Sequence, residues 1–378
     1  MVSHVHNLVA ATEAGLAPPA TVRGHIPALD GLRGVAVIGV LVFHFGQAFP
    51  QLEYYIPHLL LRSSRLGQTG VDLFFVISGF LITGKLLDTK SSAGFFSNFY
   101  ARRALRTFPL YFAVVFFTYT LFPAWFGLSQ LDRHQWWLWT YLANLPSTFG
   151  VEGVHFSHLW SLSVEEQFYL VWPAVVFLCD RRALLRVCVG CVLLAVASRV
   201  VIEASGYSSF YFTLCRLDAL SAGALLAVLA RGPSGVRGWS RFGWSAGGAL
   251  VCGAIPLYVL VSGRGLFAVQ IVKYSLTAGL YAALLMIAVT ARPNSFSQRM
   301  LSLSWLRASG KYSYGIYLFH PFVAASIAVG TRRIGWTVTS PGGSVIEALV
   351  DLVIVYGVAW LSYHGFEKRF LRLKGRFV

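Results

Sequence analysis

The sequence predicts an all-α integral membrane protein, built as a bundle of about ten transmembrane helices with both termini in the cytoplasm. Hydrophobic residues make up 56% of the 378 residues and charged residues only 12%, and the mean hydropathy is +0.63. A soluble globular domain is far less apolar. Apolar segments of about 20 residues, long enough to cross a bilayer as helices, follow one another along the chain. Basic residues concentrate in alternate connecting segments, as they do in multi-pass proteins.

The apolar segments define the predicted spans in chain order. We place them at approximately 29–49, 67–87, 106–126, 159–179, 184–203, 212–230, 242–262, 268–290, 311–329 and 345–366. An even number of spans puts both termini on one side of the membrane. Most of the 31 Lys and Arg residues then fall in the segments on that side, which the positive-inside rule assigns to the cytoplasm.

The domain organisation follows from the same pattern. Residues 1–25 are predicted to be a flexible cytoplasmic tail, residues 26–370 a single transmembrane domain, and residues 371–378 a basic cytoplasmic tail. The net charge of +16 is explained by this topology and by contact with anionic lipid of the bilayer. We therefore expect no nucleic-acid partner.

The first span, "GLRGVAVIGVLVFHF", carries two ionisable residues, Arg33 and His44. They are eleven residues apart, which on an α-helix is three turns plus about 20°, with a rise of about 16 Å. The two side chains therefore share one helix face at different depths, and they are candidates for lining a path from a cytoplasmic ligand to a reaction centre. The alternative is that Arg33 reaches lipid phosphate and His44 bonds a neighbouring helix.

Other spans also contain ionisable groups, which inside a bilayer usually face a cavity or a partner. Arg216 and Asp218 are close enough in sequence to form an intramembrane ion pair, and His320 precedes Pro321 in the middle of the ninth span. The remaining groups in the outer halves of spans are Asp72, His158, Glu165 and Glu166. Polar groups thus lie at comparable depth on several helices.

The segment "FYARRALRTFPLYF" contributes two arginines, Arg103 and Arg106, at the cytoplasmic end of the third span. Their i, i+3 spacing puts them on one helix face. Arginine binds phosphate bidentately, so the pair is a candidate site for a phosphorylated ligand. Ordinary cytoplasmic anchoring is the other interpretation.

Motifs of other enzyme and transporter classes are incomplete or absent in the sequence. "HIPALD", from His25 to Asp30, has the spacing of soluble glycerolipid acyltransferases but no supporting motif. His155 and His158 have no third ligand at a suitable spacing, so we expect no metal site. No G-x-S-x-G elbow or G-x-x-x-x-G-K-[ST] loop occurs, which argues against an α/β-hydrolase and a nucleotide-driven pump.

These segments together resemble the acyltransferase 3 family of membrane O-acyltransferases. The resemblance runs from Ile26 to about Phe370 through "IPALDGLRGVAVIGVLVFHF", "GVDLFFVISGFLI", "FYARRALRTFPLY", "HLWSLSVEEQFYLVWP", "RLDALSAGALLA" and "YSYGIYLFHP". It implies ten spans with cytoplasmic termini. It also implies transfer of an acyl group, commonly acetyl, from cytoplasmic acyl-CoA to a sugar hydroxyl.

The resemblance assigns roles to particular residues. Arg33 and His44 match the family's essential Arg and His, Arg103 and Arg106 match its R-x-x-R arginines, and Glu165 matches the acidic residue after "WSLSV". His44 is the expected general base, because its ordinary pKa lies nearest neutrality.

Other groups are expected to assist this base. Asp72 or Glu165 would orient its imidazole, and Arg33 or a neighbouring donor would stabilise the oxyanion. Arg103 and Arg106 would hold the phosphates of CoA. Residues expected to bind substrate or support the site are Trp160, Ser161, Arg216, Asp218 and His320.

Several functional questions stay open at this stage. Direct transfer is favoured, but a covalent acyl-enzyme on Ser161, Ser163 or His44 is the alternative. The acceptor is a sugar of a surface glycan or of a glycosylated secondary metabolite such as a macrolide. A transporter or flippase for a lipid-linked or charged sugar also needs intramembrane polar groups and is the rival class. The preponderance of Arg over Lys suggests a bacterial protein, located in the cell membrane.

Overall fold

A computed structural model describes residues 25–48, 65–121, 123–125, 133–152, 155–261, 267–335 and 341–377. Over these residues the chain is helical and contains no strand, as the sequence predicts. Ten of the described helices have 14 residues or more, and each overlaps one of the predicted spans. They are α1 Pro27–Ala48, α2 Gly70–Asp88, α3 Phe95–Phe116, α4 Trp160–Leu178, α5 Arg181–Ala204, α6 Leu217–Ala230, α7 Trp239–Val261, α8 Phe267–Val289, α9 Ser304–Arg333 and α10 Pro341–Ser362.

Seven helical segments of the described chain are long and apolar enough to cross a membrane. They are Pro27–Phe45, Leu66–Asp88, Arg181–Ala204, Thr213–Ala230, Phe267–Val289, Ser304–Arg333 and Val345–Arg376. The protein is therefore a multi-pass membrane protein. Helices α3, α4 and α7 fall outside this set although they overlap predicted spans. In α3 and α4 the reason is the arginines and glutamates of the candidate site, which make these helices less apolar.

The third predicted span is shifted in the structure. The sequence predicts 106–126, whereas α3 covers Phe95–Phe116 and continues into a π-helical turn at Phe117–Leu121. Hydropathy places the start too late because the turn containing Arg102, Arg103 and Arg106 is strongly polar. That turn is nevertheless helical, and its arginines face partners or cavities described below.

The helices that carry the candidate site approach one another closely at glycines. The most extensive interhelical contacts are those of α2 with α6 and of α1 with α9. A Cβ atom at Gly310 of α9 would collide with the backbone oxygen of Asp30 in α1, and one at Gly79 of α2 would collide with that of Leu220 in α6. Small residues at these crossings let the backbones meet, as is common between membrane helices. The contacts fix α1 and α9 side by side.

The Trp-rich segment between α3 and α4 folds, in its described part, into short helices that include Trp136–Trp139 and Asn144–Phe149. The Tyr141 ring stacks on Tyr111 of α3, with centroids 4.1 Å apart. The Gln167 amide of α4 donates to the Tyr141 carbonyl at 2.9 Å. This segment therefore closes over the ends of α3 and α4.

Of the two predicted tails, the structure describes mainly the C-terminal one. Residues 1–24 lie outside the described residues. The predicted basic tail continues from α10 in helical form, with a helix at Lys368–Leu373 and a 3₁₀ turn at Lys374–Arg376. Arg102 of α3 donates to the Phe377 carbonyl at 2.8 Å, so this end of the chain packs against α3.

Candidate active site

An inner cavity lies where α1, α2, α3, α4 and α9 meet. It contains about 580 Å³ of space not filled by atoms, counted together with the open solvent at its mouth. Its walls combine aromatic rings with charged and hydroxyl groups, a composition typical of ligand sites. The lining residues are Arg33, Val71, Phe74, Phe75, Ser78, Arg103, Arg106, Thr107, Ser161, Leu162, Glu165, Ser313, Tyr314 and Tyr317.

A second, wider cavity opens next to the first, and we call it the vestibule. It contains about 1320 Å³ and shares Arg33, Arg106 and Tyr314 with the inner cavity. Its other lining residues are His25, Asp30, Ser302, Ser304, Arg307, Ala308, Lys311, Tyr363, Glu367 and Leu371. The two cavities therefore adjoin at a point flanked by two arginines.

The two R-x-x-R arginines have different surroundings. Arg103 Nε donates to Glu166 Oε1 at 3.0 Å, Arg103 Nη2 lies 3.6 Å from Glu165 Oε2, and the guanidinium lies 3.9 Å from the centre of the Tyr169 ring. Arg103 is therefore already neutralised by protein carboxylates.

Arg106 and Arg33, in contrast, form no ion pair with a carboxylate in the described part of the chain. Within the motif, Arg103 is thus the paired arginine and Arg106 the one without a carboxylate partner among the described residues, and phosphate binding by the two stays a prediction.

Three imidazoles from three helical segments lie together beyond the inner cavity. The ring centroids of His44 and His320 are 4.7 Å apart, and those of His158 and His320 are 5.4 Å apart. His320 and His158 are buried, and His44 is half-buried. No arrangement of three or more His, Cys, Asp or Glu side chains among the described residues could hold a metal ion. We refer to His44, His158 and His320 as the histidine cluster.

The hydrogen bond that orients His44 comes from its own helix. His44 Nδ1 lies 2.9 Å from the Val40 carbonyl oxygen, so Nδ1–H donates and Nε2 keeps its lone pair. The sequence predicts Asp72 or Glu165 for this orienting role. In the structure Asp72 is paired with Arg216, and Glu165 accepts a hydrogen bond from Ser78 at 2.6 Å.

Tyr317 connects the inner cavity to the histidine cluster. Its hydroxyl donates to the His158 carbonyl at 2.7 Å and shares a 2.6 Å hydrogen bond with Ser161 Oγ. Its ring centroid lies 5.6 Å from that of His320. Ser161 and Tyr317 both line the cavity, so the path from the vestibule reaches the cluster at this pair.

A second group of buried ion pairs lies between α2, α5 and α6. Arg216 pairs with Asp72, and Arg199 Nη1 donates to Asp218 Oδ2 at 2.8 Å. The predicted pair of Arg216 with Asp218 is therefore wrong, because each residue has a partner from another helix. The centroid of the Trp160 ring lies 5.9 Å from the Arg216 guanidinium, so Trp160 supports this cluster.

Comparison with known proteins settles the family. A family model described as "Acyltransferase domain" matches residues 26–364. The chain belongs to the acyltransferase 3 family. No solved structure matches it significantly.

Three curated relatives of this acyltransferase 3 protein come from bacteria. It is 28% identical over 384 aligned residues to the peptidoglycan O-acetyltransferase OatA of Listeria monocytogenes, covering 91% of this chain and 56% of that protein. It is 30% identical over 329 residues to the O-acetyltransferase OatA of Staphylococcus aureus, covering 78% and 50%. The putative peptidoglycan O-acetyltransferase YrhL of Bacillus subtilis is 28% identical, covering 91% and 54%. The chain spans about half the length of these relatives.

Some contacts of this acyltransferase site escape prediction from sequence. Glu166 is the hydrogen-bonded partner of Arg103, and Tyr317 joins the cavity to the imidazoles. Arg199 is fully buried, with its partner on another helix. Its position inside an apolar span is the signal that could have marked it as paired.

Proposed function

We propose that this protein transfers an acetyl group from acetyl-CoA to a hydroxyl of a sugar. The observation that carries the proposal is the continuous series of sites described above. A cationic vestibule adjoins an inner cavity, and the inner cavity reaches the histidine cluster through Ser161 and Tyr317. A polyanionic donor with a long, thin thioester arm fits such a series.

The direction of donor entry follows from charge. Arg106, Arg307 and Lys311 line the vestibule and belong to segments that the positive-inside rule assigns to the cytoplasm. Acetyl-CoA is cytoplasmic, so the predicted ten-span topology with cytoplasmic termini would give the donor direct access. His44 lies about 16 Å further along α1 than Arg33, on the side expected to meet an extracytoplasmic acceptor.

The proposed reaction uses His44 as general base. The sugar hydroxyl oxygen attacks the thioester carbonyl carbon, and its proton passes to His44 Nε2, the nitrogen not engaged by Val40. The tetrahedral intermediate then expels the CoA thiolate, which takes the proton from the imidazolium. His320 packs against His44 and restricts the orientation of its ring.

Guiding the donor and stabilising the oxyanion are proposed to be the tasks of different residues. A separation of about 16 Å between Arg33 and His44 suits Arg33 as a guide for the donor rather than as an oxyanion donor at His44. Ser161 is nearer to the histidine cluster, and it would donate to the oxyanion by turning its O–H away from the Tyr317 hydroxyl, to which it donates in the structure.

Direct transfer is favoured over a covalent intermediate on serine. A serine nucleophile needs a neighbouring base. Ser161 Oγ is bonded to the Tyr317 hydroxyl, and Ser163 Oγ donates to the Leu159 carbonyl at 3.3 Å, so neither is bonded to an imidazole.

The acceptor class is proposed from the relatives. Two of those reported above are named for peptidoglycan. We therefore propose a sugar of a peptidoglycan-type glycan, with a glycosylated secondary metabolite as the second candidate.

The test is acetyl transfer by the purified full chain in lipid nanodiscs, with labelled acetyl-CoA and either muropeptides or a glycosylated macrolide as acceptor. Label in the sugar and release of CoA thiol are the expected results. His44→Ala should lose transfer while CoA binding is kept, because the base is removed and the vestibule is intact.

The matched control is His364→Ala. His364 Nδ1 also lies 2.9 Å from the carbonyl four residues earlier, that of Trp360, but the side chain is exposed and lies outside both cavity walls. It should retain full activity. Transfer retained in His44→Ala would refute the base assignment, and sugar movement across a membrane without thioester cleavage would favour the transporter.

A further inference from the structure

The vestibule is lined by further basic residues besides Arg33 and Arg106. Arg307 and Lys311 of α9 also line it, and neither forms an ion pair in the described part of the chain. They are four residues apart, which puts them on one helix face. Both are exposed, so they can meet a ligand without rearrangement.

Two carboxylates, Asp30 and Glu367, line the vestibule beside the four cations, so the space keeps a net positive charge. Asp30 is bonded to His25 at 2.9 Å, and Glu367 accepts a hydrogen bond from Ser362 at 3.1 Å. Four cationic side chains therefore face this space without a carboxylate partner among the described residues. Such a surplus in a concave site attracts a polyanion.

The cations lie at two depths. Arg33 and Arg106 line both cavities, whereas Arg307 and Lys311 line only the vestibule. A donor whose thioester lies in the inner cavity would pass its arm between the two arginines. Its nucleotide end would remain in the vestibule, next to α9.

We propose that Arg307 and Lys311 bind the nucleotide phosphates of the CoA donor and thereby select CoA thioesters over thioesters that lack these phosphates. This inference rests on the proposed function. Guanidinium and ammonium groups are the side chains that recognise phosphate, and Lys311 is kept at the rim by the Tyr363 ring, whose centroid lies 4.9 Å from Nζ.

The test compares three donors: acetyl-CoA, acetyl-3′-dephospho-CoA and S-acetylpantetheine. Arg307→Ala/Lys311→Ala should raise the KM for acetyl-CoA about tenfold or more, since two charge-assisted contacts with the phosphates are lost. Activity with S-acetylpantetheine should be unchanged, because that donor has no nucleotide phosphate. The response to acetyl-3′-dephospho-CoA should lie between the two.

The control variant is Arg182→Ala/Arg186→Ala. It removes two exposed basic residues at the same i, i+4 spacing on α5, outside the vestibule. It should leave all three KM values unchanged. Arg307→Gln/Lys311→Gln, which keeps polar side chains of similar length, repeats the measurement if the alanine variant fails to fold.

Binding of CoA itself gives a readout independent of transfer. Wild-type protein in nanodiscs should bind CoA more weakly as salt increases, and the α9 double variant should bind more weakly with a smaller salt dependence. Equal CoA binding by wild type and the α9 double variant would overturn this inference. So would a loss of activity in that variant that is as large with S-acetylpantetheine as with acetyl-CoA. CoA binding that depends on α9 with no acetyl transfer would refute the proposed function and leave the phosphate site standing.

Discussion

The ion pair of Asp72 with Arg216 tests whether a polar residue inside the membrane is structural or catalytic. Asp72→Asn removes the carboxylate and leaves a guanidinium side chain with 0% exposure. Arg216 Nε and Nη1 have no hydrogen-bond partner among the described residues, so the bond from Nη2 to Asp72 compensates for the burial of this group. Breaking a buried pair by removing one partner costs about 3–5 kcal/mol.

Aromatic rings around Arg216 reduce that cost. The Tyr274 centroid lies 4.3 Å from the guanidinium and the Phe210 centroid 5.2 Å from it. A desolvated cation–π contact contributes about 2 kcal/mol and survives the substitution. We therefore expect Asp72→Asn to lower the free energy of unfolding by about 3 kcal/mol, at the lower end of the range for broken buried pairs.

The assay is unfolding in mixed micelles with increasing SDS, followed by tryptophan fluorescence. Asp88→Asn is the matched control, because it breaks an aspartate–arginine pair whose side chains are 26% and 18% exposed. The Asp88–Arg231 contact is bidentate but partly open to solvent, so the loss should be about 1 kcal/mol. Asp72→Ala combined with Arg216→Met removes both charges and should recover most of the stability.

Acetyl transfer by the double variant decides the role of Asp72. A structural pair predicts that the stable double variant retains substantial transfer. If Asp72→Asn unfolds like wild type, or if the double variant is stable and inactive, the structural account is refuted and Asp72 belongs to the catalytic residues that the sequence suggests.

Two further substitutions test the surroundings of the site. Glu166→Gln weakens the hold on Arg103 and should lower kcat several-fold with little change in the KM for acetyl-CoA, because the vestibule cations are untouched. Steady-state kinetics check this, and a raised KM at constant kcat would make Arg103 a donor-binding residue. Gly310→Ala should destabilise the protein by about 1–3 kcal/mol, since its Cβ meets the backbone of Asp30. Gly330→Ala, in the same helix with nothing within 4 Å, should be neutral or stabilising in the same unfolding assay, and an equal loss in both would exclude the helix contact as the cause.

Hydropathy predicts the helices of this protein where the apolar residues are continuous. The predicted 184–203 and 268–290 lie within two or three residues of the ends of α5 and α8. Hydropathy misplaces α3 because Arg103 and Arg106 interrupt the apolar pattern. The charge of Arg103 is compensated by Glu166, and Arg106 faces a cavity. A hydropathy average over neighbouring residues shows neither the partner nor the cavity.

Helical periodicity predicts which residues share a face but not which helix lies opposite. Arg33 and His44 are correctly placed on one helix by their spacing. The partner of Arg216 is 144 residues away in sequence, whereas Asp218, two residues away, pairs with Arg199. The pairing is determined by how α2, α5 and α6 pack, so sequence proximity gave the wrong partner.

Ionisable residues in membrane spans fall into two physical classes here. Arg199 and Arg216 are fully buried and paired, so they hold helices together whether or not a ligand is present. Arg33 and Arg106 face cavities without a carboxylate partner among the described residues, so their mutual repulsion opposes folding until an anion arrives. An anion that binds only the folded protein stabilises it in proportion to the logarithm of its concentration over Kd. If the donor binds as proposed, the unpaired cations of the vestibule would link the stability of the helix bundle to occupancy by the donor, whereas the paired ones would not.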